Sequence, residues 1–248
     1  MSLSTLLVLA DGRLPAGAHA HSGGVEAAVA AGRVHDLATL RSFLVGRTAT
    51  AGEVAAAFAA ATCRALTGPQ LQDALGGSPD RRGDEPGGPR AFAGVDSDRV
   101  RELDDGIDAR TASPALRAAS RAQGRALLRA AARIWPTTPS TTAGKQPHHP
   151  VAVGIAAAAA GLRPREAALV AVYGGITGSA SAAVRLLGLD PYAVHALVAE
   201  LAPECDRLAA RAADRADLPV DDLPAGSAIL LDIGAEQHAT WEVRLFAS

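Results

Sequence analysis

The stretch from Arg163 to Gly188 reads RPREAALVAVYGGITGSASAAVRLLG, and it decides the fold class. Pro164 sits where a helix starts, because a first-turn proline gives up no intrahelical hydrogen bond and its φ is already helical. Gly188 sits where a helix ends. Between them run Ala, Val and Leu, interrupted by Gly174, Gly175 and Gly178. Each glycine costs about 1 kcal/mol of helix propensity against alanine. A helix that tolerates this is expected at the centre of the fold, with Gly174, Gly175, Gly178, Ala180 and Ala182 letting neighbouring helices approach closely. Its length is near the roughly 20 residues of a membrane span. However, its side chains are small, and Glu166 and Arg185 bracket its apolar run, so a buried helix is the reading.

Similar punctuation extends in both directions. Ser113-Pro114 pairs an N-cap with a first-turn proline, and that helix should stop before Pro136. Asp190-Pro191 starts another, running to about Arg215 with a break at Pro203. Further helices are expected over Ser4 to Ala10, from a Ser22 cap to Gly32, from an Asp36 cap with Leu37, Leu40, Phe43 and Leu44 at helical spacing, over Gly52 to Leu66, and over Pro150 to Gly161. The tail from Leu223 to Ser248 is not clearly helical. Gly76 to Gly94 is crowded with Gly, Pro, Asp and Arg and cannot bury enough surface to offset its ordering entropy. The chain therefore reads as all-α: a single-domain bundle of about 8–10 helices over residues 1–248, with a flexible Gly/Pro-rich insertion at about 68–98 and a tail at about 223–248.

Composition agrees and excludes several functions. Hydrophobic residues make up 48% of the chain but aromatics only 3%, so the core is built from small and aliphatic side chains and β-formers are scarce. A formal net charge of -2 argues against a general nucleic-acid or anionic-membrane binder. The two cysteines, Cys63 and Cys205, match no metal spacing and read as core residues in a reducing compartment. Met1 to Leu14 lacks the basic start of a signal peptide, so the chain is expected to be cytoplasmic, with no membrane partner.

Several residues carry possible chemistry. His19 and His21, with Asp11 nearby, suit nickel or zinc. On an extended segment i and i+2 share a face, so an exposed pair explains them equally, and no metal site is assigned. His148-His149 before Pro150 reads as an exposed loop pair. Arg117, Arg121, Arg125, Arg129 and Arg133 recur every fourth residue and form a basic stripe. This is either a solvated face partly paired with Glu102, Asp104, Asp105 and Asp108, or a docking surface for an acidic partner. No aromatics interleave with it, so nucleic acid is not the expected partner. There is no phosphate loop or nucleophile elbow, and no enzyme is expected. The tail concentrates Trp241, Arg244 and Phe246 in a chain nearly devoid of aromatics, so it either packs on its own domain or docks into a partner as an interface anchor. Two further readings remain open: a metallohydrolase using His19, His21 and Asp11, and a generic helical interaction protein.

Three segments, in order, resemble the UreF family of urease accessory proteins. Leu14-Pro15-Ala16-Gly17-Ala18-His19-Ala20-His21-Ser22-Gly23-Gly24-Val25-Glu26 is similar to the family's L-P-x-G-x-x-x-[YH]-S-x-G-[LV]-E signature. Ser120 to Leu128 is similar to its S-x-x-x-G-x-x-L-L helix, and His238, Trp241, Arg244, Leu245, Phe246 and Ser248 match its terminus. Ala183-Val184-Arg185-Leu186 also resembles the family's A-x-R-L segment. His19, Ala239 and the Leu187 to Asp190 run depart from the common pattern, and the sequence is closest to the actinobacterial branch. The resemblance implies a non-enzymatic, dimer-forming scaffold that bridges a UreG-type GTPase and a UreD/UreH-type protein and helps pass nickel to apo-urease. It has no resident cofactor, nickel passing only transiently. It implies contacts to the GTPase or a second copy from Leu14, Pro15, Gly17, His19, His21, Ser22, Gly24, Glu26, Gln123, Gly124 and Tyr173. The basic stripe adds Arg121 and Arg125 to that surface, with loss of GTPase recruitment expected on their charge reversal. The UreD-type partner would take His238, Trp241, Arg244, Leu245, Phe246 and Ser248.

Overall fold

A computed structural model describes residues 3–68, 96–136, 138 and 143–247. The Gly76–Gly94 segment, most of the expected insertion, and Ser248 lie outside the described residues. The described part is all-helical: α1 (Leu3–Ala10), α2 (Val25–Ala30), α3 (Leu37–Arg47), α4 (Glu53–Thr67), α5 (Ser97–Ala109), α6 (Pro114–Ile134), α7 (His149–Ala159), α8 (Pro164–Leu187), α9 (Pro191–Asp214) and α10 (Ile229–Ala239). A π-helical turn, Thr48–Gly52, fuses α3 to α4.

The caps are those the sequence announces. Asp36 and Thr39 form a reciprocal capping box on α3. Ser113 Oγ accepts from the amide of Leu116 at 3.1 Å, and Asp190 accepts from that of Tyr192 at 2.9 Å. Gly188 closes α8 at a φ of 64°. Helix α8 is central as expected, packing on α9, α4 and α7. Two buried clusters flank it. One joins α2, α3 and α9 with Phe246 from the tail, and the other joins α4, α6 and α7. The cysteines fall one into each.

Three expectations are corrected. A Cβ placed on Gly174 or Gly178 would meet nothing within 4 Å, and one on Gly175 would meet only the Arg47 side chain. These glycines do not admit a neighbouring helix. The close approach lies at Gly154 on α7, where a Cβ would stand 2.6 Å from the carbonyl oxygen of Ala59 on α4. Pro203 does not break α9, which continues from Pro191 to Asp214. The tail contains a helix, α10, which the 3.6-residue pattern missed because Ile229, Leu230 and Ile233 face solvent rather than the core.

Candidate functional site

The N-terminal motif is a turn built on glycine. Gly17, Gly23 and Gly24 adopt φ of 76°, 62° and 91°, a region L side chains avoid. The chain doubles back there and enters α2 at Val25. Ser22 is buried, and its hydroxyl accepts from the amide of Glu26 at 3.3 Å. Thus Ser22 supports the start of α2 from two residues before the Gly24 N-cap.

Glu26 is the pivot. It is 7% exposed, and its carboxylate accepts from the amides of Leu245 (2.8 Å) and Phe246 (3.1 Å) and faces His238 Nε2 at 2.7 Å. Buried carboxylates persist only when fully hydrogen-bonded, and three donors from the tail satisfy this one. The amide of Ala247 adds a bond to the carbonyl of Ala20 at 2.7 Å. Phe246 lies in the core, 4% exposed, with the Arg185 guanidinium 4.7 Å from its ring centroid. Trp241 leans on His238, ring centroids 4.8 Å apart. The first and third motifs, 212 residues apart at Glu26 and His238, are therefore one structure. Of the two courses open to the tail, Phe246 takes the first and packs on its own domain rather than in a partner. Leu245 at 53%, Val243 at 87% and the side chain of Arg244 remain exposed.

The second motif builds another hub. Gly124 on α6 is obligatory, since a Cβ there would stand 2.0 Å from the carbonyl oxygen of Pro147. The strand of loop ending at His148 lies directly on this face. Ser120 Oγ accepts from the amide of His149 (3.0 Å) and lies 3.0 Å from His148 Nδ1. His148 Nε2 meets Asp108 at 2.9 Å, and the amide of His148 donates to Asp104 at 2.7 Å. His148 is fully buried and His149 half-buried, correcting their reading as an exposed pair. Burial outweighs Asp108 and holds the His148 pKa below its ordinary value, so the ring is neutral at pH 7. A carboxylate only accepts, so Nε2–H donates to Asp108 and Nδ1 accepts from the Ser120 hydroxyl. Bonding from His148, together with Arg121, holds the Asp108 carboxyl below the usual range.

Arg121 belongs to this hub. It donates to Asp104 (2.9 Å), Asp108 (2.7 Å) and the carbonyl of Gln146 (2.9 Å). Arg117 donates to the carbonyls of Thr111 and Ala112 at 2.6 and 3.0 Å. Charge reversal at Arg121 would therefore disturb the fold before any partner, which corrects its use as a docking probe. Arg125, Arg129 and Arg133 are exposed, with no ion pair among the described residues. Gln123 is half-buried, and Tyr173 is 36% exposed on α8.

His19 is exposed and His21 half-buried. Asp11 pairs with Arg13 at 3.2 Å instead of approaching them. Among the described residues no three His, Cys, Asp or Glu side chains are grouped to hold a metal. Arg47 and Glu236 are important here and were not singled out from sequence, whereas Asp104 and Asp108 were named as partners of the basic stripe, and Arg121 pairs with both. Glu236 of α10 accepts from the amide of Ala115 at 2.8 Å and from the Ser113 hydroxyl, tying α10 to the start of α6. The pairing of Asp104 and Asp108 with the arginine stripe was legible, but their bonds to His148 are non-local.

The UreF family model matches residues 34–202. The urease accessory protein UreF of Mycolicibacterium vanbaalenii is 47% identical over 248 residues, covering all of this chain and 99% of its own. That of Mycobacterium tuberculosis strain H37Rv is 42% identical with the same coverage. The chain belongs to the UreF family. The UreF family match takes in the Ser120–Gly124 hub, while the Glu26 clamp lies in flanking segments that the full-length UreF relatives also span.

Proposed function

We propose that the chain is a scaffold in urease maturation that joins a UreD/UreH-type protein to a UreG-type GTPase so that nickel, the cargo, reaches apo-urease. It acts in the cytoplasm without catalysing a reaction, as a dimer. Membership of a family of urease accessory proteins supports the maturation role. The observation that carries the scaffold role is the Glu26 clamp. It fixes a segment whose apolar side chains, Val243 and Leu245, stay exposed while Phe246 anchors it. A terminal segment held in place binds with less ordering entropy than a frayed one. Helix α10, tied to the same clamp through His238, presents Ile229 at 66%, Leu230 at 61% and Ile233 at 49% exposure. This surface suits the UreD-type partner. Arg125, Arg129 and Arg133, unpaired among the described residues, suit an acidic face of the GTPase, with Tyr173 on α8 as a candidate dimer or GTPase contact.

Co-expression with the cognate UreD-type and UreG-type proteins, followed by size-exclusion chromatography with light scattering, tests this reading. The expected result is a ternary complex from which Val243→Asp with Leu245→Asp removes the UreD-type protein without lowering the melting temperature. Co-elution of neither partner with the wild-type chain would refute it.

A further inference from the structure

The end of α3 holds an arginine without its counter-charge. Arg47 is half-buried, and its Nε donates to the carbonyl of Gly23 at 3.1 Å. Its terminal nitrogens lie in a cradle of glycine. A Cβ on Gly175 would stand 2.6 Å from Nη1, and one on Gly23 would stand 3.2 Å from Nη2. A side chain at Gly175 would displace the guanidinium, and one at Gly23 would strike the Ser179 hydroxyl at 2.6 Å and crowd the fork. No carboxylate among the described residues pairs with Arg47. This contrasts with Arg121, which is equally half-buried and meets Asp104 and Asp108.

The surroundings are cationic or neutral donors. His149 at the start of α7 stands close enough to feel both His21 and Arg47, and burial together with those neighbours pushes it down to about 4. Burial and His19 also lower His21. Ser179, 1% exposed on α8, points its Oγ at the same spot, 2.6 Å from a Cβ on Gly23, and this oxygen has no hydrogen-bond partner among the described residues. Beside it, Gly174 and Gly178 leave the α8 surface open for 4 Å around the Cβ positions. The backbone next to Arg47 is the π-turn Thr48–Gly52, a local distortion that often marks functional positions.

A desolvated guanidinium is costly unless an anion meets it. With Nε already engaged, the Nη1 and Nη2 pair remains, a planar fork that matches the two oxygens of a carboxylate. We propose that Arg47, with the Ser179 hydroxyl and His149 beside it, forms a carboxylate-binding site at the junction of the N-terminal turn, α3, α7 and α8. The carboxylate is either a free small anion or an Asp or Glu side chain brought by a partner protein.

The experiment is formate titration of the full-length chain in chloride-free buffer, read by NMR at the His149 ring. A saturable shift, with the His149 pKa moving back up toward the ordinary histidine value, is expected for a free carboxylate. It should vanish in Arg47→Gln and weaken at least tenfold in Arg47→Lys, which keeps the charge but loses the fork. The second arm rests on the scaffold reading. Co-elution of Arg47→Lys with the two accessory proteins is compared with that of Arg165→Gln, an exposed arginine outside the proposed partner surfaces. If formate leaves the ring unmoved but Arg47→Lys alone loses a partner at unchanged melting temperature, the carboxylate is the partner's. If the wild-type chain binds no partner at all, the scaffold reading fails, and the formate arm alone decides this proposal. A formate response that is non-saturable or survives Arg47→Gln overturns the site. So does the absence of any formate response together with wild-type partner association in Arg47→Lys. Should Arg47→Gln fail to fold, the wild-type titration and Arg47→Lys decide the matter.

Discussion

Replacing Glu26 with glutamine changes one atom's chemistry and almost no volume, so it isolates the clamp. The carboxylate accepts from the amides of Leu245 and Phe246 and faces His238. Glutamine offers one carbonyl oxygen and turns an NH2 donor toward whatever faced the second oxygen. Because Oε2 serves both Phe246 and His238 while Oε1 serves Leu245, no amide rotamer satisfies all three. A hydrogen bond to a charged group contributes about 1.5–3 kcal/mol, and a buried donor left unmet costs about 1–3 kcal/mol. One bond lost and one weakened give about 3 kcal/mol against tail docking. At about 1.4 kcal/mol per decade, amide exchange at Leu245, Phe246 and Ala247 should quicken by roughly a hundredfold. The amides of α4 and α8 should keep their protection, because the tail can release without opening the core. Hydrogen exchange read by mass spectrometry on C-terminal peptides measures this directly. Unchanged protection of residues 245–247 in Glu26→Gln would refute the clamp as the tail's anchor.

Other outcomes follow from the second hub and its neighbours. Gly124→Ala drives a Cβ to 2.0 Å from the Pro147 carbonyl oxygen, so the loop must move, and thermal denaturation should show a loss of about 1–3 kcal/mol. Ser120→Ala leaves the amide of His149 and Nδ1 of His148 without their partner, a loss of about 1–3 kcal/mol measurable by urea unfolding. Arg121→Glu should lower the melting temperature because it places a third carboxylate beside Asp104 and Asp108, whereas Arg129→Glu should leave stability within about 0.5 kcal/mol and weaken only GTPase association. The folded-state pKa of His149 is depressed from 6.5 to about 4. Its contribution is thus fully present above pH 6.5 and lost as pH falls toward 4, a difference of about 3 kcal/mol. Stability measured across that range should flatten in His149→Gln.

The fold was legible where the determinants are local. Proline starts at Pro114, Pro164 and Pro191, the Asp36 box and the Gly188 stop each act within one helical turn, so the string of residues specifies them. The two hubs were legible only in the pairing of the arginine stripe with Asp104 and Asp108, because their other contacts cross the chain. His148 looks like a loop histidine from its neighbours Pro147 and Pro150. It is buried because α5 brings Asp104 and Asp108 to it from 44 and 40 positions away. Arg47 is one arginine among many until Gly23 and Gly175 close around it. The glycines of α8 failed as packing signals for a related reason. Missing side chains announce that something comes close, and sequence alone does not say whether it is a helix, a guanidinium or solvent.

This has a consequence for mapping partners. In the first motif Ser22, Gly24 and Glu26 face inward, in the second Gly124 and Ser120 hold the 147–149 segment, and in the tail His238 and Phe246 are buried. The motif residues are thus chiefly devices that fold one surface from distant segments. Substituting them releases that surface and abolishes binding whether or not they touch a partner, so such losses cannot locate an interface. The informative positions lie between them: Val243 and Leu245 on the tail, Ile229, Leu230 and Ile233 on α10, and Arg125 and Arg129 on α6. A charge introduced at Leu230 illustrates the logic. Its side chain is 61% exposed, so the fold should keep its stability within about 0.5 kcal/mol. A loss of UreD-type binding without a change in residue 245–247 exchange would then report contact rather than release. Loss of both together would show that α10 serves the clamp alone.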